Sequence, residues 1–129
     1  MTIEERAAKA AENKKSMNCC QAVLLACGDL TGLDEASASA VGAGFGSGMG
    51  TMEGNCGALV GAVMAAGLAV KDRASSRNAA VAIQKDFLNR CGALDCHDLK
   101  GRETGVVLCA CDDCCRNAIR ALEAAGLGA

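Results

Sequence analysis

Residues 56–70 read CGALVGAVMAAGLAV, fifteen positions without one charged or polar side chain. A helix with no polar face has to be covered by protein all round. The run is also shorter than the roughly 20 residues of an ordinary membrane span. It therefore predicts a buried helix at the centre of a bundle. Gly57 and Gly61 fall one turn apart, so a neighbouring helix can approach there backbone to backbone. The 129 residues suit a single domain, 1–129, and are enough to bury a core without disulfide staples.

The rest of the chain supplies helices to surround that run. Thr2 and Glu5 have capping-box spacing, which starts a helix at Ile3. Asn13-Lys14-Lys15-Ser16 either interrupts it or forms an exposed turn within it. Cys20, Val23, Leu24 and Cys27 repeat at i, i+3, i+4, i+7 from Asn18 onward, with Gly28 as the expected C-cap. Asp34 is placed to cap a short helix through Val41. Residues 42–50 hold five glycines, so they form either a flexible loop or a place where backbone must approach another group closely. Another helix is predicted over residues 75–89, with Ala80, Ile83 and Phe87 inward, Arg77, Lys85 and Arg90 in water, and Cys91-Gly92 closing it. Residues 92–110 read as extended loop. Asp112 and Asp113 suit the first turn of a last helix, which buries Ala118, Ile119 and Leu122 and stops at Gly126. These elements together predict an all-α, single-domain helical bundle.

Composition narrows the chemistry. The formal charge is −2, with no Lys/Arg run, and the aromatics are two Phe with no Tyr or Trp. A nucleic-acid partner would need a basic footprint and stacking platforms that are absent. Ten cysteines in such a chain suggest either a secreted disulfide framework or metal and redox chemistry. The second reading is preferred. Met1-Thr2-Ile3-Glu4-Glu5-Arg6 reads as a charged helix start rather than a signal peptide. The adjacent pairs Cys19-Cys20 and Cys114-Cys115 do not suit one compact disulfide framework. A reducing, cytoplasmic setting is expected, with about half of the thiols serving as small core residues.

Zinc ribbons repeat C-x-x-C, whereas Cys111 and Cys114 make it only once. Covalent haem needs C-x-x-C-H, and Ala93 stands where Cys96-His97 would need a cysteine. No strand–helix setting makes Cys111-Asp112-Asp113-Cys114 a thioredoxin motif. Residues 42–50 lack both the Lys-Ser/Thr of a P-loop and the third glycine of a dinucleotide fingerprint. No acid/base dyad or nucleophile–His pair supports a hydrolase or transferase. His97 is expected to be a satisfied surface residue. Iron–sulfur ligation demands four thiolates but no fixed spacing, so dispersed cysteines can serve it. Cys56 opens the apolar helix and Cys111 opens the last one. The positive end of each helix dipole is expected to lower those thiol pKa values.

Five segments in order carry a family resemblance. They are Asn18-Cys19-Cys20-Gln21-Ala22-Val23-Leu24, Phe45-Gly46-Ser47-Gly48-Met49-Gly50, Cys56-Gly57-Ala58-Leu59-Val60-Gly61 with Ala66-Gly67-Leu68, Cys96-His97-Asp98-Leu99-Lys100-Gly101, and residues 111–118. The chain resembles, over roughly residues 15–125, the redox-active proteins named for a C-GCAxxG-C-C pattern. The last segment has Cys114 and Cys115 where that family usually has Leu and Val. The resemblance implies Cys19, Cys56, Cys96 and Cys111 as the cofactor- and metal-binding set, with Cys20, Cys114 and Cys115 as alternates. A related domain in split-Soret cytochromes, which carry an iron–sulfur centre, points the same way.

The sequence thus predicts a small redox protein binding one iron–sulfur cluster, [2Fe–2S] preferred to [4Fe–4S]. It would act in electron transfer or redox sensing with a partner protein that the sequence does not name. A thiol–disulfide oxidoreductase using the same cysteines and a structural zinc protein are the alternatives. No membrane span is expected, and the Gly/Ala-rich helix leaves a homodimer open.

Overall fold

The computed structural model describes residues 1–128, and all the regular structure among them is helical. The eight α-helices are α1 (Ile3–Asn13), α2 (Cys19–Ala26), α3 (Gly28–Thr31), α4 (Glu35–Gly42), α5 (Gly57–Val70), α6 (Arg73–Cys91), α7 (Cys96–Leu99) and α8 (Cys111–Ala121). The 3-10 turns Ala43–Phe45 and Leu122–Ala125 complete the set, with an irregular turn over Gly48–Met52. None of the described helices is long and apolar enough to cross a membrane.

Local chemistry explains most helix starts. The Thr2 hydroxyl accepts from the Glu5 N–H while the Glu5 carboxylate accepts from the Thr2 N–H. Asn18 and Gln21 repeat this device at the start of α2. Asp34 and Asp72 cap α4 and α6 by accepting from Ser37 and Ser75. Residues 14–16 do break the first helix. Gly28 does not cap α2: Cys27 takes that position, Gly28 opens α3, and Gly32 provides the left-handed stop. The helix expected over 75–89 runs longer, and its buried edge is Ala79, Ile83, Phe87 and Cys91, with Ala80 only half-buried. Gly92, at φ 92°, closes it as expected.

Three helices, α2, α5 and α8, touch one another and form the inner layer. Helix α1 covers α2 and α8, α6 covers α5 and α8, and α4 lies on α2. Val23, Leu24, Leu59, Ile83, Phe87, Leu99, Ile119 and Leu122 are fully buried between them. Each such side chain contributes about 1.5–3 kcal/mol by leaving water. Helix α5 is central but is not sheathed all round. Ala58, Leu59, Ala62, Ala65 and Ala66 are buried, whereas Val60, Val63, Met64 and Leu68 are half-exposed. The bundle has too few elements to cover every side of it. Its closest neighbour is α2, and a Cβ added at Gly57 would stand 3.2 Å from Cys20 N, one at Gly61 3.0 Å from Cys20 O. The two glycines are what lets α2 and α5 meet at backbone distance.

Candidate metal centre

The three inner helices all begin at the same place. Cys19 is the first residue of α2, Cys56 the N-cap of α5 and Cys111 the first residue of α8. Together with Cys96, the first residue of α7, they line one cavity of about 140 Å3. Lys14, Asn18, Ser47, Met52, Gly57 and Lys100 complete its wall. The four cysteines singled out in the sequence thus line one cavity from four separate elements, although no three of their sulfurs lie within 4.8 Å of one another.

The backbone around the cavity holds them there. Cys56 N–H donates to Leu94 O at 2.8 Å, and Cys96 N–H donates to Gly54 O at 3.1 Å. This antiparallel bridge, centred on Asn55 and Asp95, ties the Cys56 and Cys96 segments to each other. On the far side the glycine-rich stretch folds tightly against Cys96. Ser47, Gly48, Met49 and Gly50 are consecutive left-handed residues. A Cβ at Gly48 would stand 2.8 Å from the Cys96 Cβ and 2.9 Å from Gly54 O. Of the two sequence readings of residues 42–50, close backbone approach is the one realised. Three non-glycine residues, Ser47, Met49 and Met52, also take positive φ there, a conformation that side-chain-bearing residues adopt at a cost.

Sulfurs face sulfurs throughout this region. The Cys111 thiol lowers the Cys19 pKa, but the Cys115 thiol and burial outweigh it and push it up to about 12. The Cys114 thiol, then burial, pushes Cys56 up. The Cys19 thiol, then burial, does the same to Cys111. Burial and the Cys56 sulfur raise Cys96. The expectation that helix dipoles lower the Cys56 and Cys111 values is thus corrected. The N–H groups of Ala58 and Leu59 do bear on the Cys56 sulfur and oppose the rise, although that sulfur caps α5 with no hydrogen bond. Burial and neighbouring thiols prevail because both disfavour placing negative charge on a sulfur packed among other sulfurs.

The alternates fall differently. Cys20 Sγ lies 3.8 Å from Met64 Sδ, between α2 and α5, and does not line the cavity. Cys115 abuts Cys19 and Cys114 abuts Cys56, both from beneath the cavity wall. His97 pairs with Asp98 at 3.3 Å and Glu103 at 3.7 Å, as a satisfied residue at the surface. All ten cysteines are free thiols.

Sequence reasoning overlooked two features. Lys100 stands four residues after Cys96 and so on the same helical face, a spacing that was there to be read. Its Nζ lies 3.5 Å from Cys114 Sγ and donates to Cys109 O at 3.1 Å. Burial works against the ammonium, and the Cys114 and Cys111 sulfurs more than compensate, so its pKa is raised. The second feature is a tight trio, Cys91, Cys109 and Cys114, whose sulfurs lie within 4.8 Å of one another and could hold a metal ion. No motif spacing joins these three.

Donor chemistry and room both fit a sulfur-ligated inorganic group: four thiols, one cavity, and three helix N-termini whose partial positive charge suits an anion. No curated protein and no solved structure matches the chain. Residues 17–125 match the family described as "Putative redox-active protein (C_GCAxxG_C_C)". With that match running from just before α2 to the final 3-10 turn, the chain belongs to the C-GCAxxG-C-C redox-active protein family.

Proposed function

We propose that this protein is a small electron-transfer or redox-sensing module that holds one iron–sulfur cluster through Cys19, Cys56, Cys96 and Cys111. The observation that carries this reading is their meeting at one cavity from four separate elements. A cluster, when bound, supplies one-electron chemistry. The chain's part is to hold and tune it. Four thiolates around an iron–sulfur core leave net negative charge, which the starts of α2, α5 and α8 and the Lys100 ammonium offset. Gly48 and Gly57 keep side chains out of the space beside Cys96 and Cys19. A [2Fe–2S] core is preferred to [4Fe–4S], and iron and sulfide contents per chain distinguish the two. The expected setting is a reducing compartment such as the cytoplasm, with a redox partner protein.

The test exploits the composition. With no Trp or Tyr, the chain has almost no near-ultraviolet background. Protein purified anaerobically with adequate iron should be brown, with sulfur-to-iron absorption and matching iron and sulfide contents. Colourless, iron-free protein from that preparation overturns the reading. A thiol count that then changes in steps of two on reduction selects the oxidoreductase alternative, and stoichiometric zinc selects the structural one.

A further inference from the structure

We propose that Cys91, Cys109 and Cys114 form a second metal site, adjoining the four-cysteine cavity but outside its lining, for a thiophilic divalent cation of the zinc class. The three residues come from the end of α6, the loop before α8 and the first turn of α8. None of them lines the cavity described above, and none is among the four cysteines that the family pattern names. Their sulfurs all lie within 4.8 Å of one another, with Cys109 Sγ 3.6 Å from Cys91 Sγ. Two thiolates on one tetrahedral zinc stand about 3.8 Å apart, from Zn–S bonds of about 2.3 Å. Closing the trio onto one ion therefore takes side-chain adjustment and no movement of helices.

What surrounds the sulfurs points to thiolates. Asn117, one turn beyond Cys114 on α8, directs its Nδ2 to Cys91 Sγ at 3.5 Å and to Cys109 Sγ at 3.9 Å. Lys100 directs its ammonium to Cys114 Sγ at 3.5 Å. Each of the three sulfurs thus has an N–H donor. A neutral thiol accepts weakly, whereas a metal-bound thiolate accepts well and is tuned by such donors. Charge agrees with this assignment. Three thiolates on a divalent cation leave one negative charge, and the Lys100 ammonium, which also lines the cavity, lies beside it. Binding is an exchange in which the cation takes the three sulfurs and three protons leave to solvent, with no change of oxidation state. Three protein ligands leave the fourth position for water or another donor, unlike a closed four-ligand structural zinc site.

Cobalt(II) is the probe, because its thiolate complexes absorb where this chain does not. The first sample is the full-length Cys19→Ser/Cys96→Ser protein, kept reduced and anaerobic, in which the proposed cluster cannot be retained. It should take up one cobalt per chain, with intense sulfur-to-cobalt absorption, and zinc should displace the cobalt. Adding Cys109→Ser to that background should abolish the signal. Asn117→Ala should weaken cobalt affinity by roughly tenfold to a hundredfold, the usual effect of losing an outer-shell donor. It leaves every sulfur in place, and circular dichroism verifies that the fold is kept. Absence of cobalt uptake in the folded double variant overturns the inference. So does uptake that survives Cys109→Ser, or a Cys91–Cys109 disulfide in freshly isolated anaerobic protein. The iron and sulfide assays on the unsubstituted chain stand apart from all of these, so either reading can fail without the other.

Discussion

Helix α2 carries a buried cysteine at each end, and the two ends differ in what faces the sulfur. At its start, Cys19 looks into a cavity shared with Cys56, Cys96 and Cys111. At its other end Cys27, equally buried, has no such company. Burial, helped by the Asp29 carboxylate, pushes its pKa up to about 11, against the pull of the neighbouring Arg6. Arg6 is 1% exposed, and four of its five guanidinium N–H groups donate to oxygen: Ala26 O and Gly128 O at 2.8 Å, and both Asp29 carboxylate oxygens at 2.6 and 2.9 Å. One end of the bundle therefore gathers thiols around a cavity, whereas the other supplies its own cation, Arg6, and closes around it. Burial does not distinguish Cys19 from Cys27; the identity of their neighbours does.

The strongest test of that contrast compares the ends directly. Cys56→Ser should reduce iron and sulfide to background in anaerobically prepared protein. Cys27→Ser should leave both unchanged and cost about 1 kcal/mol in urea unfolding, since the buried site loses the larger sulfur while Arg6 stays beside the hydroxyl. Equal iron loss in the two variants would erase the distinction.

Next in size is the closed end itself. Arg6→Ala removes the donor to two buried carbonyls and leaves a void, so unfolding should cost about 3 kcal/mol less. Iron retention should persist in the folded fraction. An unchanged urea midpoint would mean that the guanidinium cluster is not what holds the chain termini to α2.

Gly48→Ala reaches the cavity from its backbone side. The left-handed φ and the approach to the Cys96 Cβ should together cost about 1–2 kcal/mol and hasten cluster loss in air. A variant with wild-type stability would show that the Gly48–Met52 turn can yield without disturbing Cys96.

Acid titration gives the smallest effect. The Arg6 hydrogen bond and charge hold Asp29 down at about 2, below its ordinary 3.8. A depressed carboxylate pKa contributes stability that is fully present above about pH 4 and is lost as pH falls toward 2. The Asp29 side chain is 62% exposed, so the contribution should be under about 1 kcal/mol after solvent screening. Asp29→Asn should flatten the stability profile across that window and leave neutral-pH iron content alone.

Helix starts were legible because capping is short-range. Thr2 with Glu5 and Asp34 with Ser37 complete their bonds within three residues. The short helix α7, predicted as loop, escaped because four residues carry no periodic signal. Arg6 was unreadable as a buried charge, since two of its partners, Asp29 and Gly128, lie 23 and 122 residues away. The four cavity cysteines were legible only through family resemblance. Spacing by itself does not say that Cys96 N–H will meet Gly54 O.

By itself the sequence determined an all-helical chain, the apolar helix after Cys56, and a small set of thiols that begin helices. These follow from periodicity, capping and composition, which act within a few turns. Only the tertiary structure decided which sulfurs meet. The Gly57 and Gly61 contact sets α2 against α5, the Asn55–Asp95 bridge draws Cys96 to Cys56, and Cys91, Cys109 and Cys114 come together without any shared spacing. A sulfur's chemistry depends on neighbours a few ångströms away, and in this chain those neighbours arrive from distant segments through helix packing.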